Sequence, residues 1–246
     1  MGAIKVWGRV GTCPPPAIVM PLSIEPSKPR LVQDQQYLNC FMRHCPFSLD
    51  QVVNLPRYLT RDSYHTKLDD KSGFDHFLLS EDSLPYMGAE WGGWWLVWKT
   101  LPQGWRESPF VYQTLGQVAT HTLRNYGIPC SQYIDDRHLG ELWGTQIKRT
   151  SSFDAANCAF FVAGTLLTQL GYFLHLAKCV AIPKQRLIFL GHLVDTVRQT
   201  FSIPEEKKRK IVALREEILS LEQVPLNMLQ RFQGKCISLT LMVPAA

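Results

Sequence analysis

Between residues 108 and 171, two segments with helical spacing of apolar residues enclose CSQYIDDRHLGEL (130–142), a stretch with strand-like ends. Asp135-Asp136 falls where such a stretch turns into a hairpin. The first helix is predicted from Ser108, an N-cap residue, with Pro109 at the first helical position. Val111, Leu115, Val118 and Leu123 then recur near helical spacing, and Gly127 supplies the stop. The second starts near Ser151–Ser152 and runs through Phe153, Ala156, Phe160, Phe161 and Leu167 to Gly171. Helix, hairpin, helix with two acids at the tip limits the fold to mixed α and β layers.

Strand signals lie on either side. YHTKLD (64–69) reads as a strand running into a turn at Ser72-Gly73, and WWLVWKT (94–100) as a second. FLHL, CVAI and LIFLGHLVD, all between 173 and 195, are further short strands. A late helix is predicted from the capping box Ser202-x-x-Glu205 with Pro204 in its first turn. It presents Ile211, Leu214, Ile218 and Leu221 on one face. A short helix follows around 226–240. The fold class is α+β.

With 246 residues, 46% of them hydrophobic, the chain can bury a substantial core, and 19% charged residues exclude a disordered composition. A formal charge of +5 is compatible with a polyanionic partner without demanding one. Seven cysteines form no C-x-x-C, and Cys40 and Cys45 beside His44 lack a second ligand pair, so free buried thiols in a reducing compartment are expected. No apolar run approaches the ~20 residues of a membrane span. The start carries no signal-peptide pattern. The expectation is an intracellular chain of cytoplasm or nucleus, with no membrane partner.

Two adjacent carboxylates at a tight turn repel each other, and a divalent cation relieves that. Mg²⁺ takes oxygen ligands, commonly one or two carboxylates plus substrate phosphates. A solvated turn is the bland alternative. Asp69-Asp70 ends an apolar strand, and strand alternation sends the two side chains to opposite faces, so one of them can join a common site. One Asp at a strand end beside two at a hairpin tip can hold two metals about 3.5–4 Å apart and serve phosphoryl transfer.

The chain resembles the reverse transcriptase family in a series of ordered motifs. LDDKSGF (68–74), LPQGWRESP (101–109) and QYIDD (132–136) resemble its first three palm motifs. KPRLVQDQQYLN (28–39) resembles the fingers motif before them, and LGYFLHLAKCVAIPKQRLIFLGHLVD (170–195) the fourth and fifth after them. The resemblance covers roughly residues 25–245. DDKSGFDH, EWGGWW, YIDDRHLG and LQRFQGKCISLTLMVPAA are similar to DIRS-type retrotransposons, which use a tyrosine recombinase, ahead of Ty-like or pararetrovirus-like elements.

That resemblance implies a right-hand polymerase fold in a single domain, 1–246. Fingers would take about 1–45 and 77–107, palm about 46–76 and 108–198, and a partial thumb about 199–246. The palm would be an antiparallel sheet backed by helices. It implies an RNA-directed DNA polymerase with Asp69, Asp135 and Asp136 as catalytic metal ligands for two Mg²⁺ ions, or Mn²⁺. Lys28, Arg30, Phe74, Gln103, Gly104 and Lys178 would meet the deoxynucleoside triphosphate, Phe74 as the steric gate against a 2′-hydroxyl. Tyr133 and Ile134 would lie near the primer end, and Phe189, Leu190 and Gly191 would form the primer grip. Partners would be an RNA or DNA template with its primer, and a ribonuclease H and recombinase of the same polyprotein. Asp70 departs from the apolar residue, and Gln36 from the Arg, that many relatives carry. A truncated, non-catalytic remnant that at most binds nucleic acid is the alternative, since the chain stops where a thumb continues. A metal-dependent phosphohydrolase would leave LPQGW and YIDD unexplained together.

Overall fold

A computed structural model describes residues 2–25, 30–143 and 151–242. In chain order the elements are β1 (Ile4–Arg9), β2 (Leu22–Ile24), β3 (Leu31–Gln33), α1 (Gln36–Phe41), β4 (His65–Asp69), β5 (Gly88–Trp91), β6 (Trp94–Trp98) and α2 (Ser108–Asn125). Then follow β7 (Cys130–Tyr133), β8 (Asp136–Leu139), α3 (Ser152–Gln169), β9 (Val180–Lys184), β10 (Arg186–Phe189), β11 (His192–Asp195), β12 (Thr200–Ser202), α4 (Glu205–Leu219) and α5 (Leu226–Ile237). Strands and helices are mixed as an α+β class requires.

The organising layer is an antiparallel sheet in the order β7-β8-β4-β9. Cross-strand partners share a face. The register pairs Asp69 with Asp136, Lys67 with His138, Tyr133 with Asp136 and Ser131 with His138. These six side chains therefore occupy one face. Leu68, Asp70, Arg137, Leu139, Cys130 and Gln132 alternate onto the other, where α2 and α3 cover them.

That covered face holds the main core, with Leu68, Tyr112, Ala119, Leu123, Leu139, Phe160 and Leu167 buried together. Helix α3 buries Ala155, Ala156, Ala159 and Ala163, side chains small enough for its backbone to approach the sheet. Helix α2 comes equally close: a Cβ at Gly116 would stand 2.0 Å from Gln132 Nε2.

Two smaller clusters flank this layer. Val52, Leu55, Leu187, Phe189 and Val194 pack under the β10-β11-β12 sheet. Met20, Leu38, Met87 and Trp98 join the β1-β6-β5 sheet to α1. Among the described residues, no helix is long and apolar enough to cross a membrane. All seven cysteines are free thiols, but the expectation that they are buried is corrected: Cys130 is buried, whereas Cys40, Cys158 and Cys236 are exposed.

Several local expectations are corrected. Ser108 is not the cap of α2 but its first residue; its hydroxyl donates to the Pro102 carbonyl at 2.8 Å, which removes it from capping. The capping box at Ser202 does not form, because Ser202 belongs to β12 and Pro204 stands at the N-cap of α4 without a side-chain bond. FLHL is not a strand; only Leu174 bridges, to Asp70. LIFLGHLVD is not one strand but the hairpin β10–β11, folded where Leu190 (φ 47°) and Gly191 (φ 74°) both turn left-handed. Helix α3 starts where expected, and Ser151 caps it, its Oγ accepting from Asp154 N at 3.1 Å.

Candidate active site

The three candidate carboxylates meet at one end of the β7-β8-β4-β9 sheet. Asp69 is the last residue of β4 and faces Asp136, the first of β8. Asp135 occupies the β7–β8 turn, and its carbonyl accepts from Asp70 N at 2.9 Å. The turn is fixed from below by α2. Gln113 Oε1 accepts from Ile134 N at 2.9 Å, and Gln113 Nε2 donates to the Gln132 carbonyl at 3.2 Å. Ile134 takes φ 51°, a conformation a β-branched residue rarely adopts. The Gln113 amide and the packing of Ile134 against the main core hold it there.

Each carboxylate has a distinct setting. Asp69 is buried, with Lys178 Nζ 3.5 Å from its Oδ1. Lys67 Nζ stands 2.6 Å from Asp136 Oδ1, an ion pair without hydrogen-bond alignment. Asp135 is open to solvent at the tip, yet its carboxyl is raised above the usual range. Partial loss of hydration is the main cause, a backbone hydrogen bond opposes it, and the charges of Asp136, Asp69 and Asp70 add to it. Among the described residues, no group of three or more His, Cys, Asp and Glu side chains, these three included, is arranged to hold a metal ion.

The remaining expected residues divide into groups. Phe74, in the 3-10 turn Gly73–His76, is half-buried with its ring edge-on to Tyr112, centroids 5.7 Å apart. Gly104 has φ 107°, and a Cβ there would stand 2.5 Å from the Gln33 carbonyl oxygen. Asn39 Nδ2 donates to the Gly104 carbonyl at 3.0 Å, so the Gln103-Gly104 turn is fastened to β3 and α1. Arg30 is exposed at the start of the β3 arm, where its carbonyl accepts from Glu25 N at 3.0 Å. Lys28 lies outside the described residues.

Tyr133 is partly exposed on the carboxylate face, whereas Ile134 packs inward. Phe189 is fully buried, its ring 5.1 Å from that of His138, so only Leu190 and Gly191 stand at the hairpin tip. Behind this contact a buried polar chain crosses the same face. His65 Nδ1 lies 2.7 Å from His138 Nε2, His138 Nδ1 lies 3.0 Å from Tyr58 Oη, and Tyr58 donates to Ser131 Oγ at 3.0 Å. One set of neutral tautomers satisfies all three contacts. Burial lowers His65 to about 4 and His138 well below its usual value.

Sequence reasoning missed the partner of Asp70. Arg137 is fully buried on the helix-covered face and pairs with Asp70 Oδ2, which also accepts from Tyr112 Oη. Its signal was present: strand alternation puts the residue after Asp136 on the buried face, and an arginine there requires an acid. Lys67 carried the same signal on the open face.

No family model matches the sequence. A putative enzymatic polyprotein of Cassava vein mosaic virus is 32% identical over 109 residues, 44% of this chain and 16% of that polyprotein. A foamy viral protease-reverse transcriptase in complex with double-stranded DNA matches with a TM-score of 0.70 and 21% identity, over 96% of this chain and 44% of that one. The corresponding complex with an RNA/DNA hybrid gives 0.68 and 19%, over 95% of this chain and 28% of that one. The chain spans less than half the length of each of these relatives. In its fold it is reverse transcriptase-like, with the α+β polymerase architecture of the foamy virus enzymes.

Proposed function

We propose that this chain is the polymerase part of a retroelement reverse transcriptase, an RNA-directed DNA polymerase that extends a primer with deoxynucleotides. The observation that carries the reading is the meeting of Asp69, Asp135 and Asp136 at the open end of one sheet. The reverse transcriptase-like fold and the fastening of the Gln103-Gly104 turn to β3 and α1 support it.

The donor set fits Mg²⁺, and equally Mn²⁺. All three groups are hard oxygen ligands, and their mutual repulsion contributes to the raised Asp135 carboxyl, a cost that a divalent cation removes. Mg²⁺ is commonly bound by one or two carboxylates plus substrate phosphates, so in this reading the three acids would gather around the ion only with the nucleotide present. When bound, a metal pair supplies activation of the primer 3′-hydroxyl and neutralisation of the departing pyrophosphate.

The other roles follow from chemistry. Lys178, beside Asp69, suits the pyrophosphate side, while Arg30 and Lys28 suit the triphosphate. Phe74, braced by Tyr112, would collide with a ribose 2′-hydroxyl. Gln103 and Gly104 would meet the incoming base and sugar, and Tyr133, Leu190 and Gly191 the primer. Ile134 and Phe189 would support these contacts from behind. In this reading the β1-β6-β5 sheet and the β2–β3 arm are fingers, the β7-β8-β4-β9 sheet with α2 and α3 is palm, and α4 and α5 begin the thumb. Template and primer would be gripped mainly through phosphates, with binding that weakens steeply in salt.

Primer extension on RNA and DNA templates tests the reading. Asp135→Asn is expected to slow extension on the order of a thousand-fold. Equal rates for variant and parent would sink it, and gel-shift binding without extension by the parent would favour the remnant. The assignment to a DIRS-type element within a polyprotein rests on sequence wording alone; a neighbouring ribonuclease H and tyrosine recombinase in the genome would test it.

A further inference from the structure

We propose that the buried Asp70–Arg137 pair is a positioning unit that sets the spacing of the metal carboxylates on the opposite face of the same two strands. The inference rests on the polymerase reading of Asp69, Asp135 and Asp136. Asp70 follows Asp69 in the chain and Arg137 follows Asp136, so the pair crosses between β4 and β8 directly behind the two acids. Asp70 N also donates to the Asp135 carbonyl, which brings the third acid into the same unit.

Stability alone does not explain the pair. Both side chains are completely buried, and Asp70 Oδ1, Arg137 Nε and Arg137 Nη2 have no hydrogen-bond partner among the described residues. A buried ion pair with unmet donors is usually no better, and often worse, than apolar residues of the same volume. Its geometry is nonetheless fixed from three sides. Tyr112 on α2 donates to Asp70, and the Arg137 guanidinium lies 4.8 Å from the centre of the Tyr172 ring. Gly73 makes room, since a Cβ there would stand 2.7 Å from Tyr112 Oη. Burial, then the Asp70 charge, raises the Tyr112 phenol, which keeps its proton for donation. Burial works against the Arg137 charge, but Asp70 more than offsets it and the guanidinium is raised. Tyr112 also braces Phe74, so one polar unit joins the carboxylates to the candidate sugar gate.

A double variant separates positioning from stability. Asp70→Leu with Arg137→Met replaces both groups by apolar side chains of similar shape and leaves no buried charge behind. The gain from removing the buried pair is offset by the Tyr112 hydroxyl losing its acceptor, so the variant is expected to fold with a melting temperature near the parent's. Its Mn²⁺ affinity, read by electron paramagnetic resonance of the full chain, is expected to fall about 10- to 100-fold, as when outer-shell partners of a metal site are removed. In primer extension kcat is expected to fall by a similar factor while KM for the nucleotide changes little. Tyr112→Phe, which keeps the ring and removes only the donor, is expected to weaken Mn²⁺ binding several-fold, a readout that survives if the double variant fails to fold. Variants that bind Mn²⁺ and turn over like the parent would overturn the inference while leaving the polymerase reading intact. A parent whose Mn²⁺ binding is indifferent to Asp69→Asn would overturn both.

Discussion

Lys67 holds its ammonium nitrogen 2.6 Å from Asp136 Oδ1, on the same open face of the sheet as Asp69. Both partners are largely shielded, so the lysine acts as an internal counter-charge for a crowded acidic tip. Lys67→Met is expected to cost the metal-free chain about 1–3 kcal/mol, because it leaves a half-buried carboxylate without its cation. Added Mg²⁺ should then raise the melting temperature more in the variant than in the parent. Equal gains in thermal melts would make Lys67 a bystander.

The His65–His138 contact predicts a pH dependence. Both rings are buried and held neutral, His65 with a folded value of about 4 and His138 well below its ordinary one, while the unfolded rings titrate near 6.5. Above pH 6.5 neither state binds these protons and nothing is lost. As pH falls from 6.5 towards 4, the unfolded chain takes up protons that the folded one refuses, so stability falls, by up to about 1.4 kcal/mol per pH unit for each ring. Below about 4 the His65 contribution levels off. Urea midpoints at pH 7 and pH 5 should differ less in a His65→Gln/His138→Gln variant than in the parent.

How much of this was legible from sequence varies with the kind of interaction. Local periodicity located β4, the β7–β8 turn and helices α2 and α3, since each needs only its own residues. Alternation alone separated Asp69 from Asp70. It did not reveal that Asp70 meets Arg137, because that depends on which residues of two distant strands lie diagonal to each other. Ser202 and Ser108 misled for the opposite reason: their local capping signals lost to a strand ladder and to the Pro102 carbonyl. The turn at Leu190 was hidden because leucine is not a residue whose type announces a left-handed backbone.

Gly104 provides a test of the close approach between its turn and β3. With φ 107° and the Gln33 carbonyl oxygen 2.5 Å from any Cβ, Gly104→Ala must strain the turn and push β3 aside. The expected cost is about 1–3 kcal/mol in stability. If the turn meets the incoming nucleotide, the KM for nucleotide should rise as well. An alanine variant with parental stability and KM would remove the turn from the site.

Phe74 carries a prediction about sugar choice. Its ring is half-buried against Tyr112, so Phe74→Ala should destabilise the chain by about 1–3 kcal/mol, less than a fully buried phenylalanine would cost. The discriminating measurement is single-nucleotide addition of ribo- against deoxynucleotides. The variant should incorporate ribonucleotides at least several-fold more readily relative to the parent. An unchanged ratio would leave Phe74 as packing only.

The alternation along β8 has an evolutionary corollary. Asp136 and Arg137 are neighbours with opposite duties, one facing the open side and the other sunk among Tyr112 and Tyr172. Inserting or deleting one codon inside this strand would exchange them, thrusting a guanidinium into the acidic tip and a carboxylate between aromatic rings. Lineages of this chain should therefore tolerate length changes elsewhere on the surface long before they tolerate one here.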